Sequence, residues 1–313
     1  MRRRMLGSTG LEVSEISFGG WQLGNHADWD AMDEATAHEL VAAALDQGVN
    51  LFDTAPNYAG TNSERILGEA LVGRRHQVVL VSKFGHTAEG PKDFSADRLR
   101  GNLEASLRRL RTDCLDVLLL HNPPLALYRG ADPIWDALER IKAEGLIRHY
   151  GASLDFADEI EACLKNTGSE VLEVLFNILH QDVRRAFPLV RERKAGVIVK
   201  IPLDSGWLTG RFDSATRFGG VRSRWRSDQV MRRAELVDGL DWLTADGSRL
   251  SAKALAYVLA YDEVSCAIPG MRNREQLQAN IGAAETPLTE AERRRLEGYW
   301  EDFTEGGRNL LPW

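Results

Sequence analysis

The scarcity of several residue types already narrows the class of protein. The chain has three cysteines, Cys114, Cys163 and Cys266, which lie far apart and form no CxxC pattern. Such sparse cysteines favour buried thiols in a reducing compartment over a disulfide framework. Proline is also sparse, at 10 residues in 313, and polar tracts are few, which excludes disordered and collagen-like chains. No HExxH or HxH pattern occurs, so we expect no metal site.

The chain also has fewer basic than acidic residues, 39 against 46, and it has no long apolar run. The formal net charge is −7, whereas nucleic acids and membrane surfaces attract basic proteins. No segment approaches the roughly 20 apolar residues that span a bilayer. The basic start at Arg2–Arg4 is followed by no apolar stretch, so we expect no signal peptide. These features predict a cytoplasmic globular protein that acts on a small molecule, with no nucleic-acid or membrane partner.

Short β-rich runs alternate with amphipathic stretches, which indicates parallel strands joined by helical crossovers. The predicted strands are Val13–Phe18, Asn50–Thr54, Val78–Lys83, Leu115–His121, His149–Ser153, Val171–Asn177, Gly196–Ile201 and Ser265–Ile268. The predicted helices are Ala35–Gln47, Ser63–Val72, Ala96–Leu110, Pro133–Ala143, Ala157–Lys165, Val183–Lys194, Ser251–Ala260 and Glu275–Ala283. This alternation predicts a single (β/α)8 TIM barrel domain over residues 1–313, with a short N-terminal β-hairpin around Gly7–Gly10. An extra helix is expected between 204 and 247, and an open doubly wound sheet is the alternative architecture.

Ionisable side chains cluster at the ends of three consecutive predicted strands, where barrel enzymes carry their functional residues. Asp53 ends the second strand and Tyr58 lies in the loop after it, while Lys83 and His121 end the third and fourth strands. Tyrosine titrates near 10 in water, and a buried ammonium beside it lowers that pKa. Lys83 is the candidate ammonium and Asp53 its counter-ion. The set supplies an acid or base to an oxygen atom but no hydride, so a cofactor must bring the reducing electrons.

Two later loops have the composition of an anion-binding site. Pro202–Gly210 follows the seventh strand, and Pro269–Arg274 follows the eighth and leads into a helix. In barrel proteins the N–H groups of such loops bind phosphate, and Arg272 can hold a phosphate as a bidentate fork. The basic segment between the loops forms either a solvated lid or a clamp over phosphates; its arginines are Arg211, Arg217, Arg222, Arg224 and Arg226.

Ordered motifs in this chain resemble those of the aldo-keto reductases. They are Asp53-Thr54-Ala55-Pro56-Asn57-Tyr58, Ser63-Glu64, Leu67-Gly68, Val81-Ser82-Lys83 and Leu120-His121-Asn122-Pro123, and the resemblance runs from Leu6 to Ile281. It implies an oxidoreductase that acts on CH–OH groups and interconverts an alcohol with an aldehyde, ketone or sugar carbonyl. It also implies a nicotinamide dinucleotide bound without a Rossmann fold, with NADP(H) preferred and NAD(H) possible, and no GxGxxG motif occurs. By the same resemblance Tyr58 is the general acid, Lys83 tunes it, Asp53 pairs with Lys83, and His121 positions the carbonyl.

The resemblance implies a set of binding residues as well. The substrate is expected to contact Trp21, Tyr58, His121 and Asn122. The cofactor is expected to contact Gly20, Trp21, Asp53, Ser153, Glu173, Lys200, Ile201, Pro202, Leu203, Ser205, Gly206, Leu208, Gly210, Gly270, Met271, Arg272, Gln276 and Asn280. Four residues depart from the family pattern: Leu154 stands where asparagine is common, Glu173 where glutamine is usual, Lys200 where an aromatic ring often stacks, and Gly270 where some members carry a lysine. Because an ionised glutamate accepts hydrogen bonds and donates none, Glu173 cannot make every contact of a glutamine.

Two other functions stay open at this point. One is a Schiff-base lyase, which also uses a barrel lysine, here Lys83 or Lys200. An aldolase, however, leaves the pairing of Asp53 with Tyr58 unexplained. The other is a non-enzymatic nicotinamide-binding regulatory subunit, because potassium-channel β subunits resemble the same family and retain its four active-site residues.

Overall fold

The computed structural model describes residues 1–87, 90–128 and 132–313, and the chain begins with a small antiparallel hairpin. Its strands β1 (Arg3–Met5) and β2 (Glu12–Ser14) pair side by side. The turn between them is closed by the Leu6 N–H, which donates to the Leu11 carbonyl over 2.8 Å. The N-terminal hairpin predicted from the sequence is therefore confirmed.

The predicted strand Val13–Phe18 is wrong as one continuous element. Its first residues belong to β2, its last residue belongs to the short barrel strand β3 (Phe18–Gly19), and between them Ile16 makes a single parallel bridge to Ala267. Between the two, the Ser14 N–H donates to the Asn50 side chain over 2.6 Å, and the Ser17 hydroxyl donates to the Ser14 carbonyl over 2.8 Å. These side-chain bonds hold a turn between β2 and β3, a long-range effect that the alternation of apolar residues does not reveal.

The central sheet has eight parallel strands in simple chain order. After β3 they are β4 (Leu51–Asp53), β5 (Val79–Phe84), β6 (Leu115–His121), β7 (Ile147–Leu154), β8 (Val171–Leu175), β9 (Gly196–Lys200) and β10 (Cys266–Ala267). Parallel bridges from Ile16 to Ala267 and from Gly19 to Gly270 join the first edge to the last. The sheet therefore closes on itself, and the predicted (β/α)8 barrel is confirmed over an open sheet.

Helices cover the outside of the barrel. They are α1 (Glu34–Asp46), α2 (Asn62–Ala70), α3 (Ala96–Arg109), α4 (Pro133–Ala143), α5 (Ala157–Asn166), α6 (Phe187–Arg193), α7 (Ser227–Asp238), α8 (Leu250–Leu259), α9 (Arg274–Ala283) and α10 (Glu290–Thr304). Helix α7 is the extra helix expected between 204 and 247. Helix α10 is missing from the predicted set, although Thr289 and Glu292 form a capping box at its start. Within the part of the chain that the structure describes, no helix is long and apolar enough to cross a membrane.

Inward-facing side chains fill the barrel in layers. Leu6 and Val13 of the hairpin close one end and pack with strand residues such as Leu51, Val81 and Leu119, all fully buried. A larger apolar cluster between the strands and the helices holds the helices in place. Because side chains alternate along a strand, the next inward residue lies two positions further toward the strand's carboxyl end. At that end of the barrel the inward residues become polar.

Candidate active site

Five strands each carry an inward ionisable residue toward their carboxyl end. Asp53 on β4, Lys83 on β5, His121 on β6, Glu173 on β8 and Lys200 on β9 each follow an inward apolar residue by two positions. All five are at most 8% exposed. Alternation along parallel strands therefore concentrates two cations, two carboxylates and an imidazole at one mouth of the barrel.

Lys83 lies at the centre of this cluster. Its Nζ is 2.6 Å from both carboxylate oxygens of Asp53, and it donates to the Thr54 carbonyl over 3.2 Å. The Tyr58 hydroxyl is 3.3 Å from the same Nζ, and a carboxylate oxygen of Glu173 is 3.2 Å from it. The structure thus brings together Asp53, Tyr58 and Lys83, as the strand-end pattern predicts, and adds Glu173, whose contact with Lys83 the sequence pattern did not indicate.

Burial is the largest influence on the acidity of Tyr58. It raises the pKa of Tyr58 above its usual range, Lys83 lowers it, and the Asp53 and Glu173 carboxylates raise it again. Lys83 thus lowers the pKa of Tyr58, as expected from the sequence, but burial and the two carboxylates outweigh the lysine. Burial also lowers the pKa of Lys83, but the two carboxylates outweigh burial and raise it above its usual range. Lys83 is therefore a permanent ammonium.

Two stacked imidazoles form another wall of the site. The His121 ring lies 4.1 Å from the His86 ring at an angle of 19°, and 5.9 Å from the Tyr58 ring. Burial, the Lys83 ammonium and His86 lower the pKa of His121 well below its usual range. Burial and Lys92 lower the pKa of His86 to about 4. Both imidazoles are therefore neutral near pH 7. His86 is absent from the predicted site residues, although its position just after β5 is a signal that points to the barrel mouth.

One tryptophan stacks on Tyr58, and a second packs against the first. The Trp21 ring stacks on the Tyr58 ring with centroids 5.9 Å apart at 22°, and it meets the Trp29 ring edge-on at 5.2 Å. The Trp21 indole N–H donates to Asp28 over 3.0 Å, which holds the ring in place. Trp21 thus walls the space beside Tyr58, as the resemblance implies, and Trp29 extends that aromatic wall.

A second polar network links β6, β7 and β9. The Lys200 Nζ donates to the Ser153 hydroxyl over 2.8 Å and to the Asn122 side-chain oxygen over 3.1 Å, and it pairs with Asp155 at 2.8 Å. Ser153 in turn donates to Glu173 over 3.0 Å. Where the resemblance leads us to expect an aromatic ring, this chain therefore has an ammonium that is held by three polar side chains.

These residues open into a cleft of about 1070 Å³ that continues to the loops after β9 and β10. In the loop after β9, Ile201, Ser205 and Gly206 have left-handed backbone angles, with φ of 54°, 52° and 103°. Such turns can present backbone N–H groups to an anion; here the Gly206 N–H donates to the Leu203 carbonyl over 2.9 Å, which leaves the Ser205 N–H for that role. The predicted binding residues that line the cleft are Trp21, Asp53, Tyr58, His121, Asn122, Glu173, Lys200, Ile201, Pro202, Leu203, Ser205, Gly206, Gly270, Arg272, Gln276 and Asn280.

Five other predicted cofactor contacts are not among the residues that line the cleft; they are Gly20, Ser153, Leu208, Gly210 and Met271. The side chains of Leu208 and Met271 belong to the apolar core. Gly20 has a packing reason, because a Cβ there would lie 2.5 Å from the Asp53 carbonyl oxygen. Gly20 therefore allows β3 and β4 to approach where Asp53 enters the site.

The basic segment after β9 reaches across the cleft. Arg222 is half-buried, its Nε donates to the Ser205 carbonyl over 2.8 Å, and its guanidinium lies 4.8 Å from the Trp29 ring. The Val221 N–H donates to the Asp28 carbonyl over 2.8 Å. The segment thus packs against the loop after β3 above the cleft, and Arg222 is held there by protein contacts instead of extending into solvent.

Arg272, at the start of α9, forms an ion pair with Asp30 in the loop after β3. The Arg272 N–H donates to the Gln276 side chain over 2.9 Å, and the Asn273 side chain caps α9 by accepting from the Gln276 N–H. Arg272 and Asp30 are 242 positions apart in the chain, so the sequence gives no signal that Asp30 belongs to this site. A phosphate bound by Arg272 would have to compete with this carboxylate.

One surface group, Glu34, His38 and Glu69, has ligand atoms close enough together for a cation. The Arg65 guanidinium pairs with both glutamates of this group, at 2.9 Å in the case of Glu69. Arg111 also pairs with Glu69 at 2.9 Å. The two carboxylates are therefore already paired with two guanidinium groups, and we assign no metal to this group.

Fold and site together define a (β/α)8-barrel protein with a cluster of buried ionisable side chains at one mouth and a cleft that extends from it to the loops after β9 and β10. The model of the Aldo/keto reductase family matches residues 15–301, and the chain belongs to that family. Members of this family are oxidoreductases that use nicotinamide cofactors.

Individual relatives differ in the function that their names state. The chain is 29% identical over 319 residues to the NADH-specific methylglyoxal reductase of Escherichia coli, across 93% of this chain and 96% of that protein. It is 30% identical over 313 residues to a probable voltage-gated potassium channel subunit beta of Arabidopsis thaliana, across 91% and 92% of the two chains. Among solved structures, the holo form of the aldo-keto reductase AKR11C1 from Bacillus halodurans matches with a TM-score of 0.81 at 30% identity, covering 96% of each chain.

Proposed function

We propose that this protein is a nicotinamide-dependent oxidoreductase that interconverts a carbonyl compound and its alcohol, with Tyr58 transferring the proton. The observation that carries the proposal is the position of the Tyr58 hydroxyl, which lies 3.3 Å from the Lys83 Nζ on the wall of the cleft. A phenol beside a permanent ammonium can give up its proton because the resulting phenolate is stabilised in place. Membership of an oxidoreductase family supports the reaction class.

The side chains around Tyr58 suit the protonation of a carbonyl oxygen. Tyr58 donates the proton, Lys83 stabilises the phenolate, and both oxygens of Asp53 hold the ammonium in position. His121 is neutral, and among the described residues its buried Nδ1 has no hydrogen-bond partner. Its imidazole is therefore available to orient the substrate oxygen.

The cleft also suits a nicotinamide dinucleotide. Buried polar atoms of two lining residues, Asn57 Oδ1 and Asn280 Nδ2, have no partner among the residues that the structure describes. Ser205 would hold the diphosphate with its backbone N–H, while Asn280 would face the adenosine end. When bound, the reduced cofactor supplies the hydride that no side chain provides.

We propose further that NADP(H) is preferred over NAD(H), because the Arg272 guanidinium suits the additional phosphate. The Escherichia coli relative is NADH-specific by name, and Asp30 already pairs with Arg272, so the preference requires the phosphate to displace Asp30. Fluorescence titration with both reduced cofactors tests this point. The proposal predicts the lower dissociation constant for NADPH, and a lower one for NADH would contradict it.

A regulatory subunit is the second candidate function, because one relative is a named channel subunit. A turnover assay with a panel of small aldehydes, ketones and aldoses, and with the matching alcohols, distinguishes the two functions. Turnover that is lost in Tyr58→Phe supports the enzyme. A protein that binds the cofactor but turns over no member of the panel supports the regulatory subunit.

The surroundings of the two lysines disfavour the Schiff-base lyase. A lysine nucleophile must be neutral, whereas the carboxylates around Lys83 raise its pKa. Lys200 is engaged by Asp155, Ser153 and Asn122. Borohydride trapping in the presence of a carbonyl substrate should therefore leave both lysines unmodified, and a mass adduct on either one would contradict the oxidoreductase.

A further inference from the structure

Glu173 occupies a position that the proposed function leaves unused. It is 2% exposed, one of its oxygens lies 3.2 Å from the Lys83 Nζ, and the other accepts from the Ser153 hydroxyl over 3.0 Å. Asp53 holds the same ammonium with both oxygens at 2.6 Å. One buried ammonium therefore faces two carboxylates, and only one of them is needed to balance its charge.

We propose that Glu173 is a positioning residue that acts on Tyr58 through Lys83, as a second counter-ion that weakens the attraction between the ammonium and the tyrosine oxygen. The inference rests on the proposed role of Tyr58. Lys83 and Asp53 alone form a neutral pair beside the phenol, and Glu173 makes the group negative. Because water screens little at this depth, the added charge opposes the phenolate. Glu173 thus keeps Tyr58 in its phenol form up to a higher pH.

The proton balance of the two carboxylates is consistent with this role. Burial opposes ionisation of Glu173, but Lys83 and Lys200 outweigh it and lower the pKa of Glu173. Burial and the Glu173 carboxylate raise the pKa of Asp53. Because its pKa is lowered, Glu173 is ionised at neutral and alkaline pH, so it exerts its full charge when Tyr58 titrates.

The remaining polar groups at this mouth of the barrel do not cancel the effect of the Glu173 charge on Tyr58. His121, from β6, is neutral at neutral and alkaline pH. Lys200, from β9, pairs with Asp155 at 2.8 Å, so a separate carboxylate balances that ammonium. Ser153, from β7, carries no charge and connects Lys200 to Glu173. With Lys83 balanced by Asp53 and Lys200 balanced by Asp155, the charge of Glu173 has no further cation to balance it beside Tyr58 in the described part of the chain.

The test measures the pH at which Tyr58 ionises in variants that differ only in the charge at position 173. Glu173→Gln keeps the shape and removes the charge, and Glu173→Met is a second neutral variant in case the first folds poorly. Glu173→Asp keeps the charge. Glu170→Gln changes a partly buried glutamate that pairs with Lys142 at 2.5 Å, away from this cluster, and serves as the matched control. Two readouts are recorded: the pH profile of kcat/KM in both reaction directions, and tyrosinate absorbance of the cofactor-free protein after subtraction of the same variant carrying Tyr58→Phe.

In both neutral variants, the Tyr58 limb of the profile and the onset of its absorbance should move to lower pH by roughly one unit, a tenfold change in proton affinity. Glu173→Asp and Glu170→Gln should leave both where they are in the parent protein. If Glu173 had only a structural role, its replacement would lower the rate without moving the Tyr58 limb of the pH profile. A Tyr58 limb and a tyrosinate absorbance onset that both stay in place in the two neutral variants would overturn the inference. The absorbance distinguishes this failure from that of the proposed function. If Tyr58→Phe keeps full turnover, Tyr58 is not the proton donor and the proposed function fails. A tyrosinate absorbance onset that moves to lower pH in the neutral Glu173 variants would even then support the action of Glu173 on Tyr58 through Lys83.

Discussion

Replacing Lys83 with methionine should destabilise the protein because of the charges that remain, since methionine occupies a similar volume. The Lys83 Nζ contacts both oxygens of Asp53 at 2.6 Å and one oxygen of Glu173 at 3.2 Å. Its removal leaves two buried carboxylates without a cation. Loss of one partner from a buried ion pair costs about 3–5 kcal/mol, and we expect the free energy of unfolding near pH 8 to fall by about that amount.

The loss should depend on pH with a defined sign. In the variant, burial raises the folded-state pKa of the two carboxyl groups, whereas in the unfolded chain such groups titrate near 4. Above about pH 4 the unfolded state releases protons that the folded state retains, so stability falls as the pH rises toward the folded-state pKa. The destabilisation should therefore be smaller near pH 5 than near pH 8, as measured by urea unfolding at both values.

A matched control separates buried charge from the general effect of losing a lysine. Lys165 is exposed and pairs with Glu161 at 2.7 Å one helical turn away. Lys165→Met should change stability little at either pH, because exposed pairs are well solvated. A loss in Lys83→Met that is no larger than in Lys165→Met, or that is larger near pH 5 than near pH 8, would refute the reasoning.

The same variant should make Tyr58 a weaker acid. At 3.3 Å and an effective dielectric constant of about 20, a unit positive charge stabilises the phenolate by about 5 kcal/mol. This is an upper limit, because Asp53 and Glu173 offset part of the charge. The Tyr58 limb of the pH–rate profile should therefore move to higher pH, opposite to the shift in Glu173→Gln, and a shift to lower pH would contradict the assignment.

Cofactor selection and the histidines provide further tests. Arg272→Ala should weaken NADPH binding by tenfold to over a hundredfold, as expected for a charged hydrogen bond of about 1.5–3 kcal/mol, and should leave NADH binding nearly unchanged. Asp30→Asn should strengthen NADPH binding by up to about fivefold, because the phosphate no longer competes with a surface carboxylate, and Arg274→Ala is the neighbouring control. Equal losses for both cofactors in Arg272→Ala would make that arginine structural. The pKa values of His121 and His86 are both lowered, that of His86 to about 4. The pH profile of kcat/KM should therefore show no limb near pH 6.5, the usual pKa of histidine. A limb at that pH that disappears when either histidine is replaced would contradict their neutrality.

The barrel and most of its mouth were predictable because local patterns determine them. Parallel strands that are buried on both faces leave continuous apolar runs, and their carboxyl ends must meet at one edge. Asp53, Lys83 and His121 each end such a run, so their convergence follows from the strand count alone. The β1–β2 hairpin was predictable from its turn, whereas the break after Ser14 depends on Asn50, which is distant in sequence.

The contacts that were missed all depend on partners far apart in the chain. Glu173 meets Lys83 because β5 and β8 project alternate residues into one barrel, a relation that requires the register of the whole sheet. Asp30 meets Arg272 because two loops cross the cleft. Helix α10 had a local signal, the Thr289 capping box, but its long polar face weakens the apolar periodicity.

The most direct test of the central claim is the rate of carbonyl reduction by Tyr58→Phe, measured beside its affinity for the reduced cofactor. The substitution removes one hydroxyl, 3.3 Å from the Lys83 Nζ, and keeps the ring that stacks on Trp21. General acid catalysis contributes about 10²–10⁴-fold, so kcat should fall by that factor while the cofactor dissociation constant hardly changes. Near-full reductase activity in Tyr58→Phe would contradict the account and make His121 the acid to test.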